Sequence, residues 1–335
     1  MTKHVAVLMG GWSAEREVSL RSGKACADAL ERKGCRVSRI DVARDIATVL
    51  TNLRPDVALN VLHGRPGEDG TIQGLLEMTG TRYAGAGVFA SAAGMDKEYM
   101  KLIITARGLP TGRYVVVRDR DWSSGASGAA GAAGAAGLGE RKRVLDEIAE
   151  LGWPVFVKPA RGGSSVGITR VVCAADLESA VEAARVHDPK VLVEAAVEGM
   201  EVECAVLEGL DGGPPEASVP GQVVVDPGSS FYDFQAKYLT EGTRMHIPAP
   251  IPAAAAAEVR RLACAAFEAI SCEGLARVDF FYTPDGRVLF NEINTMPGMT
   301  PASGFPMMWA ASGLPLPQLI DRIIQTALRK RPGPR

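Results

Sequence analysis

Two short segments near the end of the sequence carry the residue types for chemistry on charged groups. Arg277-Val278-Asp279 and Glu292-Ile293-Asn294 flank Thr283-Pro284-Asp285-Gly286, which has the composition of a four-residue type I turn. A hairpin built on that turn sets Arg277 opposite Glu292 and Asp279 opposite Phe290. Side chains alternate along strands, so these residues share a face with Asn294, and two carboxylates, an amide and a guanidinium converge. Hard oxygen donors of this kind suit Mg²⁺, which keeps waters and substrate phosphates as its other ligands. An Arg–carboxylate pair on a solvated sheet face is the competing reading. A three-residue loop with a bulge would shift the pairing by one and break the face.

A metal held this way needs a phosphate nearby. Lys158-Pro159-Ala160-Arg161-Gly162-Gly163-Ser164-Ser165-Val166-Gly167 offers one binding device, a lysine ending a strand and then a loop without bulky side chains. Its backbone N–H groups and the Ser164 and Ser165 hydroxyls can meet phosphate oxygens. A plain flexible connection remains the alternative. The P-loop pattern fails, since Ile168 follows Gly167 where a lysine is required. Gly85-Ala86-Gly87-Val88-Phe89-Ala90 matches a dinucleotide fingerprint nominally. The strand before it is very short, and no acid stands where a ribose-binding residue is needed, so the segment reads as a loop and helix start. Glu15 follows Ser13, a candidate helix N-cap, and suits a first helical turn by charge alone. His63, between an apolar strand and Gly64, is either a packed loop histidine or a polar group facing a pocket.

The elements that must hold these residues follow from hydrophobic patterning. His4 to Met9, Arg36 to Asp41 and Asp56 to Val61 read as strands, with helices over Ala14 to Lys33 and Arg44 to Leu53. This is a parallel α/β module, whose ligands bind beyond the carboxyl ends of the strands. Gly10 to Glu15 and His63 to Gly70 are the loops that open there. A helix from Met95 to Gly108 leads out of it, with a domain boundary near Asp96. Beyond come a Gly/Ala/Ser stretch from Ser123 to Gly139, expected to be a mobile insertion rather than a helix, and then α+β elements built mainly from antiparallel pairs. Expected units are 1–96, 97–190 and 191–335.

Composition narrows the class. With 335 residues the chain is long enough for two or three domains. Lys and Arg number 37 against 39 Asp and Glu, for a net charge of -2, which does not indicate a nucleic-acid binder. No run of about 18 apolar residues and no signal-peptide core is found, so a cytoplasmic protein without membrane partners is expected. Six cysteines without a Cys-x-x-Cys pair, and four histidines, suggest reduced thiols rather than zinc or disulfides.

Taken in order, GGWSAEREVSL (10–20), LHGRPGEDGTIQG (62–74), MDK (95–97), VKPARGGSSVG (157–167), FYDFQAKY (231–238), ARVDFF (276–281) and NEINTMPGMT (291–300) resemble the D-alanine:D-alanine ligase family of the ATP-grasp superfamily. The resemblance spans nearly the whole chain. It implies a pre-ATP-grasp α/β domain followed by a two-part ATP-grasp fold. It also implies ATP-dependent joining of two D-alanine molecules through an acylphosphate, for peptidoglycan synthesis, by a homodimer using two Mg²⁺, for which Mn²⁺ can substitute.

Residue by residue, the resemblance implies that Asp279, Glu292 and Asn294 hold the metals, with Glu292 bridging. Lys97, Lys158, Ser164, Ser165 and Lys237 serve the ATP phosphates, Glu194 and Glu201 the adenine and ribose, and Val197 lies near the adenine. Arg277 and the Gly298 N–H would form an oxyanion hole. Glu15 would bind the first D-alanine and join Ser164 and Tyr238 in a hydrogen-bonded triad, with His63 close by. Ser303 would bind the second D-alanine's carboxylate. FYDFQAKY would be a closing loop, and its Tyr238 favours an amine acceptor over D-lactate. The sequence departs from the family at Ala195-Ala196, where a lysine and a bulky aromatic are usual, and around Thr300 to Gly304.

Overall fold

The computed structural model describes residues 2–123, 132–224 and 244–330. Its first sheet is parallel, in the order β2 (Arg36–Asp41), β1 (His4–Met9), β3 (Val57–Asn60), β4 (Tyr83–Ala84). Every residue of β1 is buried because helices cover both faces. Val5 and Val7 pack on Cys26, Ala27 and Leu30 of α1 (Arg16–Arg32). Ala6 and Leu8 face Ile46 and Leu50 of α2 (Ile46–Leu53) and Ile72 and Leu76 of α3 (Thr71–Met78). The helix expected from Met95 to Gly108 is α5 (Lys97–Ala106), and the helix start read at Gly85 to Ala90 opens a separate helix before it, α4 (Val88–Met95). Asp96 breaks them: its backbone is extended, and its carboxylate accepts the Tyr99 N–H at 3.4 Å as the cap of α5.

A second sheet is antiparallel, in the order β5 (Tyr114–Arg118), β8 (Lys190–Ala195), β6 (Val155–Pro159), β7 (Thr169–Val171). Strand β8 spans the expected division at 190/191. Helices α6 (Asp119–Ser123), α7 (Ala132–Leu151) and α8 (Leu177–Arg185) accompany this sheet. The Gly/Ala stretch expected to be non-helical is helical from Ala132 onward. Val144, Ile148 and Leu151 bury the far end of α7 against Val115 and Val155. Alanine propagates a helix already anchored there, and each glycine opposes it by only about 1 kcal/mol. Residues 124–131 lie outside the described residues.

The third sheet runs β12 (Arg244–His246), β11 (Gly221–Val224), β9 (Met200–Leu207), β13 (Leu275–Tyr282), β14 (Val288–Asn294), with β10 (Glu216–Ala217) on β9. Even-numbered residues of β9 and β13, among them Val202, Cys204, Val278 and Phe280, pack under α9 (Ala253–Ala269). The odd-numbered face divides. Ala205, Leu207 and Leu275 join a core with α10 (Gly304–Ala311), α11 (Leu316–Arg329) and the first sheet. Glu201, Glu203, Arg277 and Asp279 occupy the rest of that face, and this charged end carries the site. All six cysteines are free thiols. Among the described residues, no helix is long and apolar enough to cross a membrane.

Candidate active site

The hairpin that carries the acids is not in the expected register. Thr283 N–H donates to the Arg287 carbonyl and Gly286 N–H to that of Thr283, both at 2.9 Å, so the loop is the three residues Pro284, Asp285 and Gly286. Gly286 sits at φ +84°, where a residue without Cβ is favoured. The shorter loop moves the pairing by one, setting Phe280 against Phe290. A second irregularity follows between Asp279 and Phe280, where Asn291 is the unmatched residue, and moves it by one again. Two odd steps restore the parity. Asp279 therefore lies opposite Glu292, and Arg277 opposite Asn294, in place of the expected Arg277/Glu292 and Asp279/Phe290 pairs. Phe290 is turned into the core, its ring centroid 6.1 Å from that of Phe280. The convergence of Arg277, Asp279, Glu292 and Asn294 on one face survives.

Arg277 donates from Nε and Nη2 to the two Asp279 carboxylate oxygens at 2.7 and 2.6 Å. Glu203 of β9, directly across from Asp279, stands 3.3 Å from the same Nε and is only 6% exposed. Sequence reasoning missed Glu203. Its signal was the period-two spacing from Glu201 on an otherwise apolar strand. Asn294 Oδ1 accepts the Met296 N–H at 2.9 Å, which turns the chain away from β14. Among the described residues no cluster of three or more His, Cys, Asp or Glu is arranged to hold a metal. The set is two carboxylates and an amide, the partial shell that suits a divalent ion completed by phosphate oxygens and water. The guanidinium seated on both Asp279 oxygens shows that this position accepts a cation.

Across from this face, strands β6 and β8 bring Lys158 beside Glu194. Lys158 Nζ pairs with one Glu194 oxygen, and Lys101 Nζ of α5 with the other at 2.9 Å. Lys101 is a second residue sequence reasoning missed, four positions from Lys97 on one helix face. Burial by itself would raise the Glu194 pKa, but Lys101 and Lys158 together hold it far below the usual carboxylate range. Burial alone would lower the Lys158 pKa. Glu194, with smaller contributions from Glu292 and Glu201, leaves it raised. The lysine of the second sheet thus senses acids of the third. Lys97 Nζ donates to the Gly162 carbonyl at 2.6 Å, tying α5 to the glycine-serine loop. Ser164 and Ser165 in that loop take left-handed backbone angles, φ 50° and 61°. Val197 lies against Gly112, with 3.5 Å between its Cγ2 and the place a Cβ would occupy there.

The first-sheet loops meet the same space. Ser13 is not a side-chain cap on α1. Its hydroxyl accepts the Glu15 N–H at 3.1 Å and donates to the His63 carbonyl at 2.6 Å, and the helix starts at Arg16. Glu15 is left to accept a hydrogen bond from the Ser164 hydroxyl, which joins the α/β module to the glycine-serine loop. Gly64, at φ +68°, leaves the space that Glu15 fills, since a Cβ there would come within 2.6 Å of Oε2. His63 is buried, with Nε2 3.2 Å from Ser22 Oγ, and Ser22 Oγ accepts the Met299 N–H at 3.2 Å. Ser303 begins α10, its Oγ accepting the Thr300 N–H at 3.2 Å. A Cβ on Gly298 would stand 2.8 Å from that oxygen, so only glycine lets the two meet.

Glu15, Lys97, Ser164, Arg277, Glu292 and Ser303 are among the residues lining one cleft of about 950 Å³. Glu203, Asn294 and Gly298 line it as well. Lys237 and Tyr238 lie outside the described residues. The nominal dinucleotide fingerprint has a packing explanation: a Cβ on Gly274 would come within 2.7 Å of the Gly85 backbone, so Gly85 serves a close approach between sheets.

Known proteins match this chain over most of its length. A family described as "D-ala D-ala ligase C-terminus" matches residues 103–325, and one described as "D-ala D-ala ligase N-terminus" matches 45–86. The D-alanine–D-alanine ligase of Streptomyces coelicolor is 54% identical over 278 residues, covering 83% of this chain and 68% of that protein. That of Frankia casuarinae is 53% identical over 278 residues, covering 83% and 67%. Among solved structures, the VanG D-Ala:D-Ser ligase from Enterococcus faecalis is 30% identical, with a TM-score of 0.81 over 98% of this chain and 100% of that one. The D-alanine-D-alanine ligase from Coxiella burnetii is 31% identical, with a TM-score of 0.78 over 98% and 94%.

Proposed function

The chain belongs to the D-alanine–D-alanine ligase family, and we propose that its cleft runs the reaction in two steps on opposed surfaces. The fold is an ATP-grasp fold, and the activity is the ATP-dependent joining of two D-alanine molecules. In the first step a carboxylate oxygen of one D-alanine attacks the γ-phosphorus and ADP leaves, giving an acylphosphate. In the second the amine of the other D-alanine attacks the acyl carbon. Phosphate leaves with the former carboxylate oxygen, and the amine gives up its proton.

Glu15 binds the ammonium of the first D-alanine, and its bond to Ser164 sets the glycine-serine loop over the phosphates. Lys97 and Lys158 meet phosphate charge, with Ser165 in the same loop and Lys237 on the transferring group. Glu194, Val197 and Glu201 hold the adenosine. Arg277 and the Gly298 N–H stabilise the oxyanion of the second step, where donors fixed in advance contribute most. Ser303 binds the second carboxylate, His63 borders the first, and Tyr238 completes the link from Glu15. Asp279, Glu292 and Asn294 would hold two Mg²⁺, or Mn²⁺, which when bound neutralise phosphate charge. The units 1–96, 97–190 and 191–335 divide this work. A cytoplasmic homodimer serving peptidoglycan synthesis completes the reading.

The observation that carries the proposal is the restored parity of the hairpin, which sets Asp279, Glu292 and Arg277 on one face, with Glu292 near enough to Lys158 to act on its charge. Product analysis with ATP, Mg²⁺ and D-alanine, D-serine or D-lactate tests it. D-alanyl-D-alanine should form with one phosphate per dipeptide, and no D-alanyl-D-lactate. Phosphate release that ignores D-alanine, or an ester as main product, would refute it.

A further inference from the structure

Arg277 stands between two carboxylates whose needs differ. Asp279 occupies Nε and Nη2, while Glu203 approaches the same Nε at 3.3 Å from the neighbouring strand. None of the three side chains is more than 15% exposed. A guanidinium bound to both oxygens of Asp279 competes with any metal that Asp279 is to ligate. If Asp279 turns to a metal, the buried guanidinium still requires a counter-charge close by. Glu203 is seated to supply it. A Cβ on Gly304 would stand 2.8 Å from Glu203 Oε2, so a residue without a side chain admits this carboxylate against the start of α10, next to Ser303. Glu203 also lines the reaction cleft.

We propose that Glu203 is a positioning residue that draws Arg277 off Asp279, freeing Asp279 for metal and holding the guanidinium at the acyl-transfer site. The inference rests on the metal assignment of Asp279 made above. Mn²⁺ binding to the full chain, read from the electron paramagnetic resonance of free Mn²⁺ in the presence of adenylyl imidodiphosphate, tests it without turnover. Glu203→Gln should weaken Mn²⁺ binding about tenfold, a coupling usual for charged side chains in contact. Glu203→Asp, which keeps the charge, should weaken it less, and it carries the comparison if Glu203→Gln does not fold. In an Arg277→Met background the competitor is gone, so adding Glu203→Gln should change Mn²⁺ binding by less than about twofold. An equal loss in both backgrounds would mean that Glu203 acts by its own charge, and would overturn the proposal. Unchanged binding in Glu203→Gln would overturn it too. Asp279→Asn separates the two failures: Mn²⁺ binding that survives this change rejects the metal assignment itself.

Discussion

Glu194 holds one lysine on each carboxylate oxygen in a nearly dry setting, and the two cations together depress its pKa. Removing Lys101 leaves Lys158 to balance the carboxylate alone, a partial loss that costs about 2 kcal/mol, short of the full cost of stripping a buried charge of its counter-ion. Lys101→Met should therefore lower unfolding free energy by about that amount, measured by denaturant titration. The pH dependence has a fixed sign. The lysines depress the Glu194 pKa in the folded state, so its stabilisation is complete above the ordinary value of 4.5 and fades as pH falls toward the depressed one. With Lys101 gone the depression is smaller, and the acid limb of the stability curve should be shallower than in the wild type. An unchanged acid limb would remove Lys101 from the account. Lys101 also bears on the Ala195-Ala196 departure: its ammonium neutralises Glu194 from α5, without a lysine at the adjoining position of the chain.

At the scale of elements, the hairpin shows what alternation can and cannot reveal. The face that Arg277, Asp279, Glu292 and Asn294 share was legible, because period-two alternation fixes parity within each strand. Cross-strand partners were not, because Gly286 shortens the loop and Asn291 adds a residue, and neither device announces itself in hydrophobic pattern. Deleting Asn291 should remove the bulge and let Glu292 follow Phe290 directly, still opposite Asp279 on the site face, so dipeptide synthesis in a phosphate-release assay should persist. Asn291→Ala keeps the residue count and should stay close to wild type. Loss of activity in the deletion variant, with unfolding free energy unchanged, would show that the parity argument is wrong. The start of α7 was misread for a related reason: glycine content was weighed locally, whereas the helix is anchored by Val144 and Ile148 further along.

For the molecule as a whole, function depends on surfaces far apart in sequence meeting over one cleft. Gly85 and Gly274 let the first sheet approach the third, and α11 returns to bury Leu319, Ile320 and Ile323 in the first module's core. That approach brings Glu15 within reach of Ser164, 149 residues later, and the Ser22 hydroxyl into contact with the Met299 N–H. Hydrophobic periodicity gave each module, but close packing between modules is set by absent side chains, which leave no periodic signal. Missed residues Glu203 and Lys101 belong to the same class, since each acts on a partner that only tertiary contact supplies. The two-step chemistry assigned to this cleft is open to a direct isotopic measurement. D-alanine labelled with ¹⁸O in its carboxylate should yield released phosphate carrying one ¹⁸O per dipeptide formed, because the carboxylate oxygen that attacks phosphorus departs with it. Phosphate free of label, formed alongside D-alanyl-D-alanine, would contradict the acylphosphate route and the arrangement of residues built around it.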